Sequence, residues 1–252
     1  MLGFNGGLMG VRRTPTGSAA SGLWFQNEQS VAKRAEIWPI VQTMDPDFAS
    51  VSLLLHMDGA NNSTTFTDSS ANALTVTPSN NAKISTDVVK YGTGAYRSTS
   101  ATNDQLALPS TSLLQLTGDF TIEFWLYALA SSGRLFNLAA ANSRIEIDQN
   151  GSNPYKFYLY NQGVEIFDNL AVGLSNSSWH HLALTRSGST LRLFGGGTLY
   201  ATATHSSTLT PTTVMGSGSV LFNGYMDDLR ITKGVARYTA SFTPPAAPFP
   251  NA

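Results

Sequence analysis

Glu146-Ile147-Asp148 sets two carboxylates two positions apart in an alternating run, so on a strand both point to one face. Paired carboxylates hydrolyse glycosides when one protonates the leaving oxygen and the other attacks or activates water. Retention of configuration needs them about 5–5.5 Å apart. The next position on that face is Asn150, and an amide cannot protonate a leaving group. His180 and His181 are neighbours on a predicted strand, so they point to opposite faces and cannot chelate one metal together. His56 and His205 have no acidic or nucleophilic partner nearby in sequence. Gly195-Gly196-Gly197 lacks a following lysine and helix, and reads as a hairpin turn rather than a phosphate loop. No cysteine is present, which removes disulfide and thiolate chemistry.

The elements that must position these groups are strands. Phe120, Ile122, Phe124 and Leu126 alternate with Thr121, Glu123, Trp125 and Tyr127, giving period two with bulk on both faces. This predicts a central strand covered on one side and partly covered on the other. The block 179–186 has the same apolar density. Further strands are expected near 51–57, 73–77, 94–98, 104–108, 134–139, 143–148, 155–160, 164–167, 190–194, 198–203, 219–223 and 225–232. Asn150-Gly151, Ser187-Gly188 and the three glycines at 195–197 supply turns between them. Many short strands joined by such turns predict an all-β sandwich or barrel.

Composition narrows the function classes. Hydrophobic residues make up 42%, enough for a sizeable core, while charged residues make up only 12% and the net charge is -1. That leaves no field to attract nucleic acid or an anionic membrane. No run of about 18 apolar residues exists to span a bilayer. The first ten residues lack the basic start and unbroken apolar run of a secretory leader. If the protein works outside a cell, a secretory leader is not the expected route.

The ends differ from the middle. Residues 1–22 are rich in Gly, Ser and Thr and cannot bury a core alone; Leu2, Phe4 and Leu8 are candidate anchors onto another surface. Residues 23–38 place Trp24, Val31, Ala35 and Trp38 on one helical stripe, with Phe25 beside it, Ser21 as cap and Pro39 as stop. Such a helix is marginal alone and wants a partner surface, either its own β body or another subunit. Three parts are therefore expected: a docking arm, short helix and linker over 1–50, a β body over 51–243, and an extended Pro-rich tail over 244–252.

Leu54-Leu-His-Met-Asp-Gly59, Asp68-Ser-Ser-Ala-Asn72, Gly118-Asp-Phe-Thr-Ile-Glu-Phe-Trp125, Trp179-His-His-Leu-Ala-Leu-Thr-Arg186, Leu191-Arg-Leu-Phe194 and Phe222-Asn-Gly-Tyr-Met-Asp-Asp-Leu-Arg-Ile231 occur in that order. Together they resemble a laminin-G-like, concanavalin A-like lectin/glucanase domain. The resemblance implies a two-sheet jelly-roll sandwich. It does not imply one activity, since lectins, glycosidases and plain adhesion modules share the fold. The superfamily's glycosidases use Glu-x-Asp-x-Glu; here the last acid is Asn150, so no enzyme is expected. The segment Gly22-Leu-Trp-Phe-Gln-Asn-Glu-Gln29 with Lys33-Arg-Ala-Glu-Ile-Trp-Pro39 is similar to N-terminal segments of tailed-phage structural proteins.

In sandwiches of this type the first and last strands lie side by side, antiparallel. That would bring Asp58 near Asp227 and Asp228, where repulsion between the acids is relieved by a cation, by Arg230 or by backbone amides. Oxygen-rich surroundings and the resemblance imply a structural Ca2+ as the candidate cation. Lectins hold sugars on aromatic platforms; Trp125, Tyr127, Tyr158 and Tyr160 are the candidates, with core packing as their alternative role. The expected protein is a non-enzymatic virion component of a tailed phage, in capsid, tail or fibre. It docks on other virion subunits through its arm, self-associates, and displays a sandwich for cell-surface glycans. The rival readings are a free-standing carbohydrate-binding lectin and, behind it, a glycoside hydrolase.

Overall fold

The computed structural model describes residues 44–99, 102–129, 133–148, 155–215 and 221–252. The candidate docking residues Leu2, Phe4, Leu8, Trp24, Phe25, Val31 and Trp38 and the expected helix over 23–38 lie outside the described residues, as does Asn150. Met44–Ala252 forms one unit.

Its strands are β1 (Val51–Leu55), β2 (Thr77–Ser79), β3 (Lys83–Ser85), β4 (Ala95–Ser98), β5 (Gln105–Ala107), β6 (Phe120–Ala128), β7 (Gly133–Leu138) and β8 (Arg144–Asp148). Then follow β9 (Tyr155–Asn161), β10 (Val164–Val172), β11 (Trp179–Ser187), β12 (Thr190–Gly195), β13 (Thr198–Thr204), β14 (Pro211–Val214) and β15 (Gly224–Lys233). They form two antiparallel sheets. One is eight-stranded, in the order β13-β12-β11-β6-β15-β4-β3 with β1 also paired to β15; the other is seven-stranded, in the order β10-β9-β8-β7-β14-β5-β2. The all-β sandwich expected from turn spacing and alternation is the architecture found. The short strands β3 and β14 were not expected, and the strand expected at 73–77 forms instead at Thr77–Ser79. Both β3 and β14 lack a long apolar run; their pairing partners make them strands.

Alternation decides which side chains fill the space between the sheets. On β6, Phe120, Ile122, Phe124, Leu126 and Ala128 face inward, joined by Leu182 and Leu184 of β11 and Met226, Leu229 and Ile231 of β15. From the other sheet Phe136, Ile145, Ile147, Phe157 and Leu159 meet them, with Phe124 and Phe136 rings 5.5 Å apart. The turn at Gly196 and Gly197 adopts φ of +56° and +77°, which joins β12 to β13 and fits the hairpin reading.

The second face of the eight-stranded sheet is covered too. Residues 235–252 run along it, fixed by backbone and side-chain bonds: Phe242 N–H to Gly197 O, Thr185 Oγ1 to Tyr238 O, Tyr91 Oη to Pro245 O, and Asp45 N–H to Ala252 O. Tyr238 and Phe242 stack 3.5 Å apart, and both lie against Phe194 and His181. The Pro-rich run 244–252 thus packs on the sheet with its Phe249 in a small cluster with Val51 and Leu54.

Candidate functional site

The covered face carries a buried ionic network. Glu123 on β6 accepts bonds from Arg230 Nε (2.9 Å), Arg230 Nη2 (2.7 Å) and Tyr238 Oη (2.8 Å), and His181 Nε2 lies 3.3 Å from it. Arg230 and Arg237 both reach Asp45. Burial pushes the Glu123 carboxyl up, but His181, Arg230 and Tyr238 outweigh it and hold it below the usual carboxylate range. His181 is 1% exposed beneath the C-terminal rings, while His180, on the opposite side of β11, is half-buried and its Nε2 accepts the Ser175 N–H. No substrate can reach a group so enclosed, and the network's role is to pin the C-terminal segment.

The three candidate cation ligands lie at one end of this face. β1 and β15 pair antiparallel, Leu55 opposite Leu229, as expected. Between Asp227 and Arg230 the register of β15 against β6 slips by one residue, and Asp228 takes φ +49°. This bulge is where β15 changes its outer neighbour from β4 to β1. It aims each acid at a different protein partner. Asp58 bonds to Thr93 N–H and Oγ1; Gly92 sits so close, at φ +64°, that any Cβ there would collide with the carboxylate. One oxygen of Asp227 accepts the amides of Lys90 (2.9 Å) and Tyr91 (3.0 Å), and the other is buried without a partner. Asp228 accepts from His56 Nδ1 (2.6 Å) and from the Phe249 N–H (2.8 Å).

Among the described residues no three His, Cys, Asp or Glu side chains are gathered to hold a metal ion. Each acid is hydrogen-bonded to its own protein partners, and Asp227 keeps one buried oxygen without a partner. The partner that sequence proximity could not show is His56, whose other nitrogen meets Asn251 Oδ1 at 2.6 Å. With an acceptor oxygen at each ring nitrogen, the doubly protonated ring is the one that satisfies both. Burial lowers the His56 pKa, yet Asp228 and Asn251 raise it further, and the net shift is upward. Burial and the neighbouring Asp228 push Asp227 up to about 7.

The four candidate aromatics do not share a surface. Trp125 and Tyr127 belong to β6 in the eight-stranded sheet; Tyr158 and Tyr160 belong to β9 in the seven-stranded sheet. Trp125 is 7% exposed, with Lys90 Nζ 3.9 Å above its ring and Tyr91 and His181 at its edges. Tyr127 packs between Trp179 and Tyr225 and stays half-buried. One continuous platform of four is thereby excluded.

Tyr158 and Tyr160 are different. They alternate with core-facing Phe157 and Leu159, so both point outward and both remain partly exposed. Their rings run parallel, 7° apart in plane, with centroids 6.3 Å apart. The Arg144 guanidinium lies 3.9 Å from the Tyr160 centroid, extending the row of flat groups. Glu146 fixes that guanidinium through Arg144 Nε at 2.9 Å, and Arg134 Nε lies 3.7 Å from the same oxygen. Tyr158 Oη bonds to Asn169 Oδ1 on β10 at 3.4 Å.

Next to the row a groove of about 460 Å3 opens, lined by Gln105, Arg134, Asn137, Asn142, Arg144 and Thr213 among others. Asn137 Nδ2 donates to Thr213 Oγ1 at 2.7 Å, and Arg134 Nη1 to Asn137 Oδ1 at 3.3 Å, so the lining is braced. Arg144 belongs to both row and groove. Flat π-surfaces beside fixed amides and guanidinium groups suit a ring with one apolar face and hydroxyls around its edge. Sequence reasoning missed Arg134, Arg144, Asn137 and Thr213. Only the register that sets Arg144 opposite Tyr160 and Asn137 opposite both Arg144 and Thr213 brings them together.

A family model for the concanavalin A-like lectin/glucanases superfamily matches residues 99–237. A search of curated protein sequences returned no match. Among solved structures the chain is similar to domain 4 of AbnA, a GH43 extracellular arabinanase from Geobacillus stearothermophilus, in complex with arabinotriose. That likeness has 14% identity and a TM-score of 0.57, and covers 74% of this chain and 94% of the other. It is also similar to the binding domain of botulinum neurotoxin serotype D (16% identity, TM-score 0.54, 75% of this chain and 49% of the other). A third is the binding domain of Paraclostridial Mosquitocidal Protein 1 (15%, 0.54, 74% and 49%). The chain thus spans about half the length of those two binding domains. At these identities the likeness is one of fold. With the family model covering more than half the sequence, the chain belongs to the concanavalin A-like lectin/glucanases superfamily.

Proposed function

We propose that this protein is a non-enzymatic glycan-binding module, carried on a tailed-phage particle, that holds its sugar on the Tyr158–Tyr160 face of the seven-stranded sheet. The observation that carries the binding part is the outward parallel tyrosine pair, continued by Arg144 into a braced polar groove. The solved arabinanase domain with arabinotriose supports it as a relative in fold that holds an oligosaccharide. Catalysis is disfavoured by the same residues. Glu146 is already engaged by Arg144 and Arg134, and the third position of the acid pattern is Asn150.

The particle assignment rests on the likeness of residues 22–39 to phage structural proteins and on the apolar anchors of residues 1–38. Other virion subunits, and further copies of this chain, would supply the docking surfaces; repetition would multiply weak sugar contacts.

The full chain on a glycan array tests the binding reading: a hit lost in Tyr160→Ala supports it, and no hit at high protein concentration sinks it. Release of reducing ends from the bound glycan, abolished by Glu146→Gln, would replace the module with an enzyme. Deleting residues 1–38 tests the particle reading: loss of incorporation is expected, and normal incorporation would favour a free-standing lectin.

A further inference from the structure

The groove beside the tyrosine row is rich in N–H donors and short of acceptors, which narrows the ligand on the premise that this row is the glycan site. The groove crosses β8, β7, β14 and β5 and takes two guanidinium groups, Arg134 and Arg144, into its lining. Among the described residues no Asp or Glu lines it. Its hydroxyl and amide acceptors are in use: Asn137 Oδ1 accepts from Arg134 Nη1, Thr213 Oγ1 from Asn137 Nδ2, and Ser143 Oγ from the Gln162 N–H at 2.7 Å. Gln105 and Asn142 bring amides, which donate and accept alike.

A guanidinium only donates. Arg144 gives its Nε to Glu146 and lies over Tyr160, while its Nη1 and Nη2 meet no acceptor among the described residues. Arg134 gives Nη1 to Asn137, and its Nε is buried without a hydrogen-bond partner, 3.7 Å from Glu146. Glu146 reaches both arginines but carries charge enough for only one. The side chains of Arg134, Arg144 and Glu146 are 26%, 24% and 16% exposed, so a charge that joins them is partly shielded from water. The other acids of these strands, Asp148 at the far end of β8 and Glu165 and Asp168 on β10, line no part of the groove.

A carboxylate supplies what the lining lacks. It brings two acceptor oxygens and one negative charge, in a planar fork that matches the paired Nη1 and Nη2 of a guanidinium. Arg144 belongs to row and groove at once, which joins a place for a ring to a place for an acid.

We infer that the groove is a carboxylate subsite: the tyrosine row holds a sugar ring, and Arg144 with Arg134 holds the carboxylate of a uronic or sialic acid residue. The inference rests on the glycan-site reading and names its ligand class, acidic oligosaccharides.

The test is the full chain on an array holding acidic glycans beside carboxyl-reduced and sulfated counterparts of the same cores, at about 50 mM and 500 mM salt. Carboxylated members are expected to bind at least roughly tenfold better than their carboxyl-reduced partners at low salt, with the gap narrowing at high salt. Arg134→Gln is expected to weaken binding of the carboxylated members about tenfold, and Arg134→Lys, which keeps the charge without the fork, to recover only part of that loss. The comparison on the wild-type chain stands whether or not these variants fold. Equal binding of carboxylated and carboxyl-reduced members, lost in Tyr160→Ala, would overturn the subsite and keep the row. A preference for sulfated over carboxylated members would overturn the carboxylate class. Binding of no glycan would overturn row and subsite together.

Discussion

The two outward faces of the sandwich use similar residues for opposite ends. On the eight-stranded sheet, His181, Glu123 and Arg230 lie under the C-terminal segment, and Glu123, Arg230 and Asp45 are tied to one another and to Tyr238. On the seven-stranded sheet, Tyr158, Tyr160, Arg144 and Glu146 stand partly exposed, and their bonds run sideways along the surface rather than up into a covering chain. An aromatic next to a charged pair is therefore no signature by itself. What lies above it decides whether it is a rivet or a platform. The buried charges of Glu123 and Arg230 have to be paired, because an uncompensated charge in that environment is costly. The exposed version is tolerant of loss, which leaves it free to serve a ligand.

That contrast predicts unequal responses to mutation. The largest is Arg230→Ala, which strands Glu123 and Asp45 under the C-terminal segment. A loss of about 3–5 kcal/mol is expected in urea unfolding, and a loss below about 1 kcal/mol would show the network is not stabilising. Next comes Asp227→Asn. Its carboxyl is raised to about 7 in the fold, so its proton-linked stability is full below the ordinary carboxylate range and is lost as pH rises through about 7. His56, also raised, acts in the same direction, losing its contribution as pH climbs through its elevated folded value.

Wild type should therefore melt lower at pH 8.5 than at pH 5.5. Asp227→Asn should recover about 2–4 kcal/mol at the higher pH. A wild-type melting temperature that rises across that interval would contradict the burial assigned to Asp227. Glu123 and Asp45 work with the opposite sign: their stability is present above the ordinary carboxylate range and is lost as pH falls through their lowered values, so acid should unpin the C-terminal segment.

On the other face the effects move from stability to binding. Tyr160→Ala should leave the unfolding midpoint within about 1 kcal/mol of wild type, since the ring is outside the core, while weakening glycan binding about 10- to 100-fold. Equal damage to both would make Tyr160 a structural residue. The smallest expected effect is Asn251→Ala, which removes one partner of His56: about 1 kcal/mol, read best as faster amide exchange at residues 249–252.

Period-two alternation on β6, β9 and β11 and the glycine turns between strands made the two-sheet class and most of its strands readable before any coordinates. Those signals are local: a strand's faces follow from its own residues, and a hairpin's turn from two or three. The pairing of first and last strands was readable through resemblance, and it held. The chemistry was less legible. Asp58, Asp227 and Asp228 looked like one cluster because strand pairing brings their backbones together, yet around the one-residue bulge at Asp228 each carboxylate bonds to a different part of the protein. His56 seemed solitary because its partners are 172 and 195 residues away. Trp125 and Tyr158 seemed equivalent because alternation reports that a side chain leaves the core, and not which sheet it leaves from or what covers it.

The sequence by itself determined that this chain builds a cysteine-free all-β sandwich, with weak net charge and an incomplete acid pattern at 146–150. Only the tertiary structure decided that the C-terminal segment buries one sheet face, that the candidate aromatics divide between two sheets, and that Arg144 joins Tyr160 to a polar groove. The physical reason is range. Propensity and periodicity act over a few neighbouring residues, while a site is made by register and cover, which depend on contacts between strands far apart in the chain.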